Sequence, residues 1–208
     1  MKLVFRIIVK ISHILTILAG CATTEEIKEA DAEAYTKRGI AYDEKGQYDK
    51  AISDYNKAIE IDPKFIVTYH GRGLAYAAKD QYDKAISDYN KTIEINQRYV
   101  LVYNDRGIAC YFKGQYDTAI ADFNKALEIN PKYVEAYYSR GLTYRKKGQY
   151  DKAISDFNKV LEINPKFAEA YMSRGAAYSD KGEFDVACSD WKRACELGAC
   201  KAYGLEKK

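Results

Sequence analysis

The dipeptide Arg-Gly recurs at Arg38-Gly39, Arg72-Gly73, Arg106-Gly107, Arg140-Gly141 and Arg174-Gly175, each pair 34 residues after the last with no insertion or deletion between them. No other feature constrains the fold as strongly, because a fixed period requires each unit to bury the same face against its neighbour. Counting Ala32 as position 1, five repeats run 32–65, 66–99, 100–133, 134–167 and 168–201. Position 4 is Tyr in all five, position 8 is Gly and position 20 is Ala, while position 11 is Tyr except for Cys110. Position 24 holds Tyr55, Tyr89, Phe123, Phe157 and Trp191.

Positions 4, 8 and 11 share one face of a first helix, A, and positions 20, 24 and 27 share a face of a second, B. Glycine inside a helix costs about 1 kcal/mol relative to alanine. Paying that at position 8 in every repeat implies close packing, so Gly at 8 and Ala at 20 are expected to bring the two helices together. The A–B boundary falls at Gly46, Gly114, Gly148 and Gly182, suited to left-handed caps. Helix B opens with an Asp at position 18, favourable against the helix dipole, and ends before Asp62-Pro63, Asn130-Pro131 and Asn164-Pro165. The first repeat is expected to have helices near 33–45 and 49–61, with later repeats offset by 34. Repeat 2 carries Asp80 for the capping Gly and Gln97 for the Pro, so its turns are the least firmly specified.

This pattern of small and large positions resembles the tetratricopeptide repeat family over 170 residues. The resemblance implies an all-α, right-handed α-solenoid of five helix pairs with a short C-terminal capping helix at 202–208, and a concave surface lined by positions 2, 5, 9, 12 and 13. It also implies a non-enzymatic scaffold or adaptor that binds a peptide or protein in that groove; the competing reading is an assembly chaperone or pilotin for a secreted or outer-membrane subunit. At the groove positions stand His70, Leu74, Asn104, Ile108, Tyr111, Phe112, Tyr138 and Leu142, with Arg145 and Lys146 as a basic patch to steer an acidic flank of the ligand. Packing between repeats is the alternative role for Leu74, Ile108 and Leu142. The carboxylate-clamp subclass uses Lys and Asn at positions 5 and 9; Thr36, Ile40, His70, Leu74 and Ile108 do not support it. Every repeat pairs an Arg at position 7 with an Asp at position 23, read as a structural pair, the alternative being a ligand-binding Arg stripe.

Residues 1–20 differ from the rest. Lys2, Arg6 and Lys10 precede an apolar run from Ile11 to Ala19, the shape of a secretory signal peptide. The competing membrane anchor would immerse Arg6, Lys10 and His13, at about 2.5–3.5 kcal/mol for each central charge. The run ends in Leu18-Ala19-Gly20-Cys21, which resembles a bacterial lipobox. That resemblance implies cleavage before Cys21 and acylation of its thiol and amine, palmitate among the chains. Ala22, in place of Asp, resembles the outer-membrane sorting case, so the expected location is the outer membrane, facing the periplasm. Residues 21–31 read as a short linker, within which Thr23 and Glu26 form a capping-box pattern where the first helix can begin.

Outside residues 1–20 the chain carries 30 basic and 30 acidic side chains, which gives no basis for nucleic-acid binding. Beyond that segment His70 is the single histidine, so no His-rich metal site or Ser-His-Asp triad can be assembled. No catalytic residues, cofactor or metal are expected. Fifteen of the 20 tyrosines fall at positions 4, 11, 17 and 24, which makes them packing residues. Cys110 replaces a core tyrosine and reads as an inert buried thiol. Cys188, Cys195 and Cys200 cluster near the C-terminus, with Cys195–Cys200 the favoured disulfide and Cys188–Cys200 the alternative.

Overall fold

The computed structural model describes residues 24–199, all helical apart from turns. The signal segment, Cys21, Cys200 and the cap expected at 202–208 lie outside the described residues. Ten helices follow in order: α1 (Thr24–Asp43), α2 (Tyr48–Ile61), α3 (Ile66–Ala78), α4 (Tyr82–Ile95), α5 (Val100–Phe112), α6 (Tyr116–Ile129), α7 (Val134–Lys146), α8 (Tyr150–Ile163), α9 (Ala168–Asp180) and α10 (Phe184–Glu196). Among the described residues there is no strand, and each repeat contributes one A and one B helix. The first helix begins at Thr24, inside the segment read as linker and directly after Thr23 of the capping-box pattern, so residues 24–31 are helix. The sequence there, Thr24-Glu25-Glu26-Ile27-Lys28-Glu29-Ala30, contains no Gly or Pro to stop it.

Each A helix ends in the same hydrogen-bonded turn. The Gln47 N–H donates to the Tyr42 carbonyl at 2.9 Å and the Gly46 N–H to that of Asp43 at 2.8 Å, with Gly46 at φ 68°. These two bonds are the Schellman pattern, which satisfies carbonyls the helix would otherwise leave open. Repeat 2 builds the same turn on an aspartate: Asp80 sits at φ 57°, and Gln81 and Asp80 donate to Tyr76 and Ala77, both at 2.9 Å. Asp is one of the few side chains that tolerate this left-handed region. The turn after the B helix in repeats 1 to 4 is likewise independent of proline. The Asn130 Oδ1 accepts from the Lys132 N–H at 3.1 Å, and Asn96 Oδ1 from the Arg98 N–H at 2.9 Å although Gln97 stands in the proline's place. The short polar side chain at position 31 sets that turn.

The chain divides into two compact units, 1–75 and 76–208. In the first, Ala51, Tyr55 and Ala75 form the core with Tyr42, Tyr48 and Ile52 against them. In the second, α5 pairs with α6, α7 with α8 and α9 with α10, and the A helices α5, α7 and α9 lie side by side. Its largest core cluster joins Ala85, Tyr89, Val102, Tyr103, Ala109, Ala126, Leu127 and Ala136.

The position 8 glycines answer to a ring more than to a helix backbone. A Cβ on Gly141 would lie 2.7 Å from Cε1 of Phe157, and one on Gly107 would lie 2.6 Å from Cε1 of Phe123. Gly39 stands in the same relation to Tyr55, whose hydroxyl end also fills the space left by Gly71. At Gly175 a helix backbone comes close as well, the Ala187 oxygen 3.1 Å from the added Cβ, behind the Trp191 ring. The position 24 ring is therefore a knob, and the glycine is its socket.

Candidate functional site

The position 7 arginines are structural connectors. Arg106 donates from Nε to Asp122 at 2.8 Å and from Nη2 to its other oxygen at 2.5 Å, a bidentate pair within one repeat. Its remaining Nη1 reaches Asn90 of the preceding repeat at 2.6 Å. Arg140 and Arg174 repeat the arrangement with Asp156 and Asn124, and with Asp190 and Asn158. In the first unit Arg38 holds Asp54, and Arg72 donates to Asn56 at 2.6 Å. Each guanidinium also lies over the position 4 tyrosine of its own helix, 5.0 to 5.7 Å from the ring centroid. The aspartates are buried, at 4–5% exposure. Arg106, Arg140 and Arg174 have Nε, Nη1 and Nη2 all committed and offer little to a ligand. The position 25 asparagines escaped the sequence reading, although their recurrence at Asn56, Asn90, Asn124 and Asn158 is visible there.

The groove residues separate into two classes. His70 and Asn104 are buried, at 8% and 4% exposure, which corrects their assignment to a partner-binding surface. The position 5 side chain of the first repeat, Thr36, is buried as well, and its hydroxyl meets that of Thr68 at 2.7 Å. Leu74, in the first unit, stands out at 38% exposure. In the second unit Ile108, Tyr111 and Phe112 of α5 converge with Tyr138, Ser139 and Leu142 of α7 around an apolar cavity of about 170 Å³. Phe123 of α6 closes its floor. Five of the expected groove residues are thus brought together, and Phe123 and Ser139 join them unannounced. Phe123 is a core residue of its repeat, and its ring also lines the cavity.

The rim is aromatic. Phe112 is 61% exposed and stacks on Tyr82, with centroids 5.5 Å apart and planes within 8°. Tyr111 meets Phe112 edge-on at 5.4 Å and Tyr116 at 5.6 Å. Tyr138 packs on Phe167 at 5.2 Å and shares a hydrogen bond with Ser173 at 3.1 Å between hydroxyl oxygens. Both tyrosines are half-buried. Burial pushes the Tyr111 hydroxyl up, Tyr116 adds to this and the nearby Arg145 opposes it, so Tyr111 stays a neutral donor at physiological pH. Of the two expected basic residues, Lys146 is exposed. Arg145 instead pairs with Asp180 of the next repeat, Nε to Oδ2 at 2.7 Å, and is not a free cation.

Among the described residues no group of His, Cys, Asp or Glu could hold a metal ion, and no helix is long and apolar enough to cross a membrane. Cys110 is a buried free thiol, pushed up by burial, and Cys188 is an exposed one. Cys195 is disulfide-bonded; its pairing with Cys200 falls outside the described residues.

Comparison with known proteins places this arrangement. The tetratricopeptide repeat profile matches residues 32–65, 66–99 and 134–167, and a second profile, described as TPR repeat, matches 107–146. No curated protein matches the chain. Among solved structures, a crystal structure of MamA is 33% identical, covering 79% of this chain and 96% of its own, with a TM-score of 0.72. A second MamA structure is 31% identical over 86% of this chain and 97% of its own, also at 0.72. YrrB, described as a TPR protein with an unusual peptide-binding site, shares the fold at 24% identity and a TM-score of 0.68, covering 84% of this chain and 90% of its own. With its repeats matched by profile and its helix pairs matched by structure, the chain belongs to the tetratricopeptide repeat family.

Proposed function

We propose that this chain is a non-enzymatic scaffold or adaptor that binds a peptide segment of a partner at the α5–α7 cavity. The single observation that carries the reading is the enclosure of an apolar space by Tyr111, Phe112 and Tyr138, rings outside the repeat's core positions. Its size favours one side chain over a small molecule: about 170 Å³ is well below the roughly 300–1,000 Å³ of small-molecule pockets. Exposed aromatic residues next to such a space are the usual anchors of an interface. That YrrB is described as having a peptide-binding site supports the same reading. The test replaces Phe112 with a photocrosslinking phenylalanine analogue in the native host. A single stoichiometric adduct is expected, lost when Tyr111→Ala and Tyr138→Ala are combined while helicity by circular dichroism is kept. Equal adduct yield from the double variant moves the site elsewhere.

The proposal includes the membrane location. We infer that Cys21 carries the lipid that holds the array at the outer membrane, facing the periplasm; the support is the Leu18-Ala19-Gly20-Cys21 run after an apolar segment. One acyl chain binds a bilayer marginally and two bind stably. Labelled palmitate should enter the wild-type protein and not Cys21→Ser, and label retained in that variant refutes the anchor.

A further inference from the structure

We infer that the cavity selects a segment in which a bulky apolar side chain is flanked by carboxylates, with Arg145 and Lys146 reading the acids. This rests on the proposed peptide-binding role and adds a ligand class to it. Of the five A helices, α7 alone has basic residues in its last turn; α1, α3, α5 and α9 have none. The repeat architecture therefore does not require them, and they occur on a helix that walls the cavity. Arg145 differs from the position 7 arginines in how its donors are used. Among the described residues it gives only Nε, to Asp180, and its side chain keeps 35% exposure. Lys146 is exposed and makes no ion pair among the described residues. The neighbouring Lys113 and Lys147 are held by Asp83 and Asp117, so they do not compete for a ligand's carboxylates. Counted against Asp180, Arg145 and Lys146 leave one net positive charge at the C-terminal end of α7, and Arg145 lies within electrostatic reach of the Tyr111 ring. A cationic helix end next to an apolar hole complements an apolar residue next to an acid.

The probes are four fluorescein-labelled pentapeptides read by fluorescence polarisation with the full chain: Glu-Gly-Phe-Gly-Glu, Gln-Gly-Phe-Gly-Gln, Lys-Gly-Phe-Gly-Lys and Glu-Gly-Ala-Gly-Glu. The acidic Phe peptide should bind about three- to tenfold tighter than the neutral one, in line with exposed ion pairs, and the advantage should shrink with salt. Loss of the Phe ring should weaken binding by roughly thirtyfold. Arg145→Gln with Lys146→Gln should erase the acidic preference, so that the acidic and neutral Phe peptides bind that variant alike. Lys146→Gln alone, at an exposed unpaired site, should lower the preference partway. Equal binding of the three Phe peptides overturns the acidic selection but keeps the peptide site. Failure of every Phe peptide to bind overturns both.

Discussion

Arg106 Nη1 donates to Asn90 Oδ1 at 2.6 Å, joining an A helix to the B helix of the repeat before it. The same guanidinium grips Asp122 in its own repeat, so one side chain sets both the pairing within a repeat and the register between repeats. Removing one partner of a buried ion pair costs about 3–5 kcal/mol. Arg106→Ala should fall at the lower end of that range, because the arginine side chain retains 22% exposure. Asn90→Ala removes one charge-assisted bond and should cost about 1.5 kcal/mol. Urea denaturation of both single variants and the double variant measures the coupling, and a double-variant loss equal to the sum of the singles removes the shared role.

The ion pair titrates differently along the chain. Hydrogen bonding to Arg38 lowers the pKa of Asp54, more than burial raises it, in a repeat where the Arg38 side chain is 53% exposed. At Asp156 loss of water dominates and raises the pKa, although Arg140 opposes it; Arg140 there is only 18% exposed. A lowered carboxylate pKa contributes stability above its unfolded value and loses it as pH falls through the folded value. A raised one contributes at low pH and loses as pH rises through the folded value. Denaturation of Asp54→Asn against wild type, from neutral pH into the acid range, should show a stability gap that narrows as pH falls. The gap for Asp156→Asn should widen, and parallel slopes for the two variants defeat the assignment.

Gly141→Ala tests the ring-and-socket packing. Helix propensity alone favours the alanine by about 1 kcal/mol. Against that, the new methyl group would press on a Phe157 ring that is fully buried, at 2.7 Å. Overpacking costs about 1–3 kcal/mol, so a net loss is expected in chemical denaturation. Combining it with Phe157→Leu should cost less than the sum of the two single changes, since the socket is then partly vacated. A stabilised Gly141→Ala protein contradicts this packing.

Thiol reactivity should sort the cysteines by environment. Under native, non-reducing conditions a thiol reagent should label Cys188 and spare Cys110, which is 2% exposed and has its ionisation opposed by burial. Cys195 should label only after reduction. Peptide mapping identifies its partner: a Cys195–Cys200 peptide is expected, and a Cys188–Cys200 peptide contradicts it.

Much of this architecture was written in the chain itself. The 34-residue period, the alternation of A and B helices and the places where they turn depend on residues a few positions apart. Local torsional preference and the i, i+4, i+7 spacing act at that range, and Gly46 at φ 68° is one outcome. Even the weakest turn, at Asp80, obeyed the same local rule. What a side chain meets across a repeat boundary was decided by tertiary packing. Arg145 and Arg140 are both arginines on α7. One, Arg140, spends its donors on Asp156 and Asn124, while the other, Arg145, gives only Nε, to Asp180, among the described residues. His70, Asn104 and Phe112 occupy similar groove positions, yet two are covered and one is 61% exposed. Sequence spacing fixes the face of a helix on which a residue lies. The cover over that face depends on the size of side chains 30 or more residues away, and only assembling the helices reveals it.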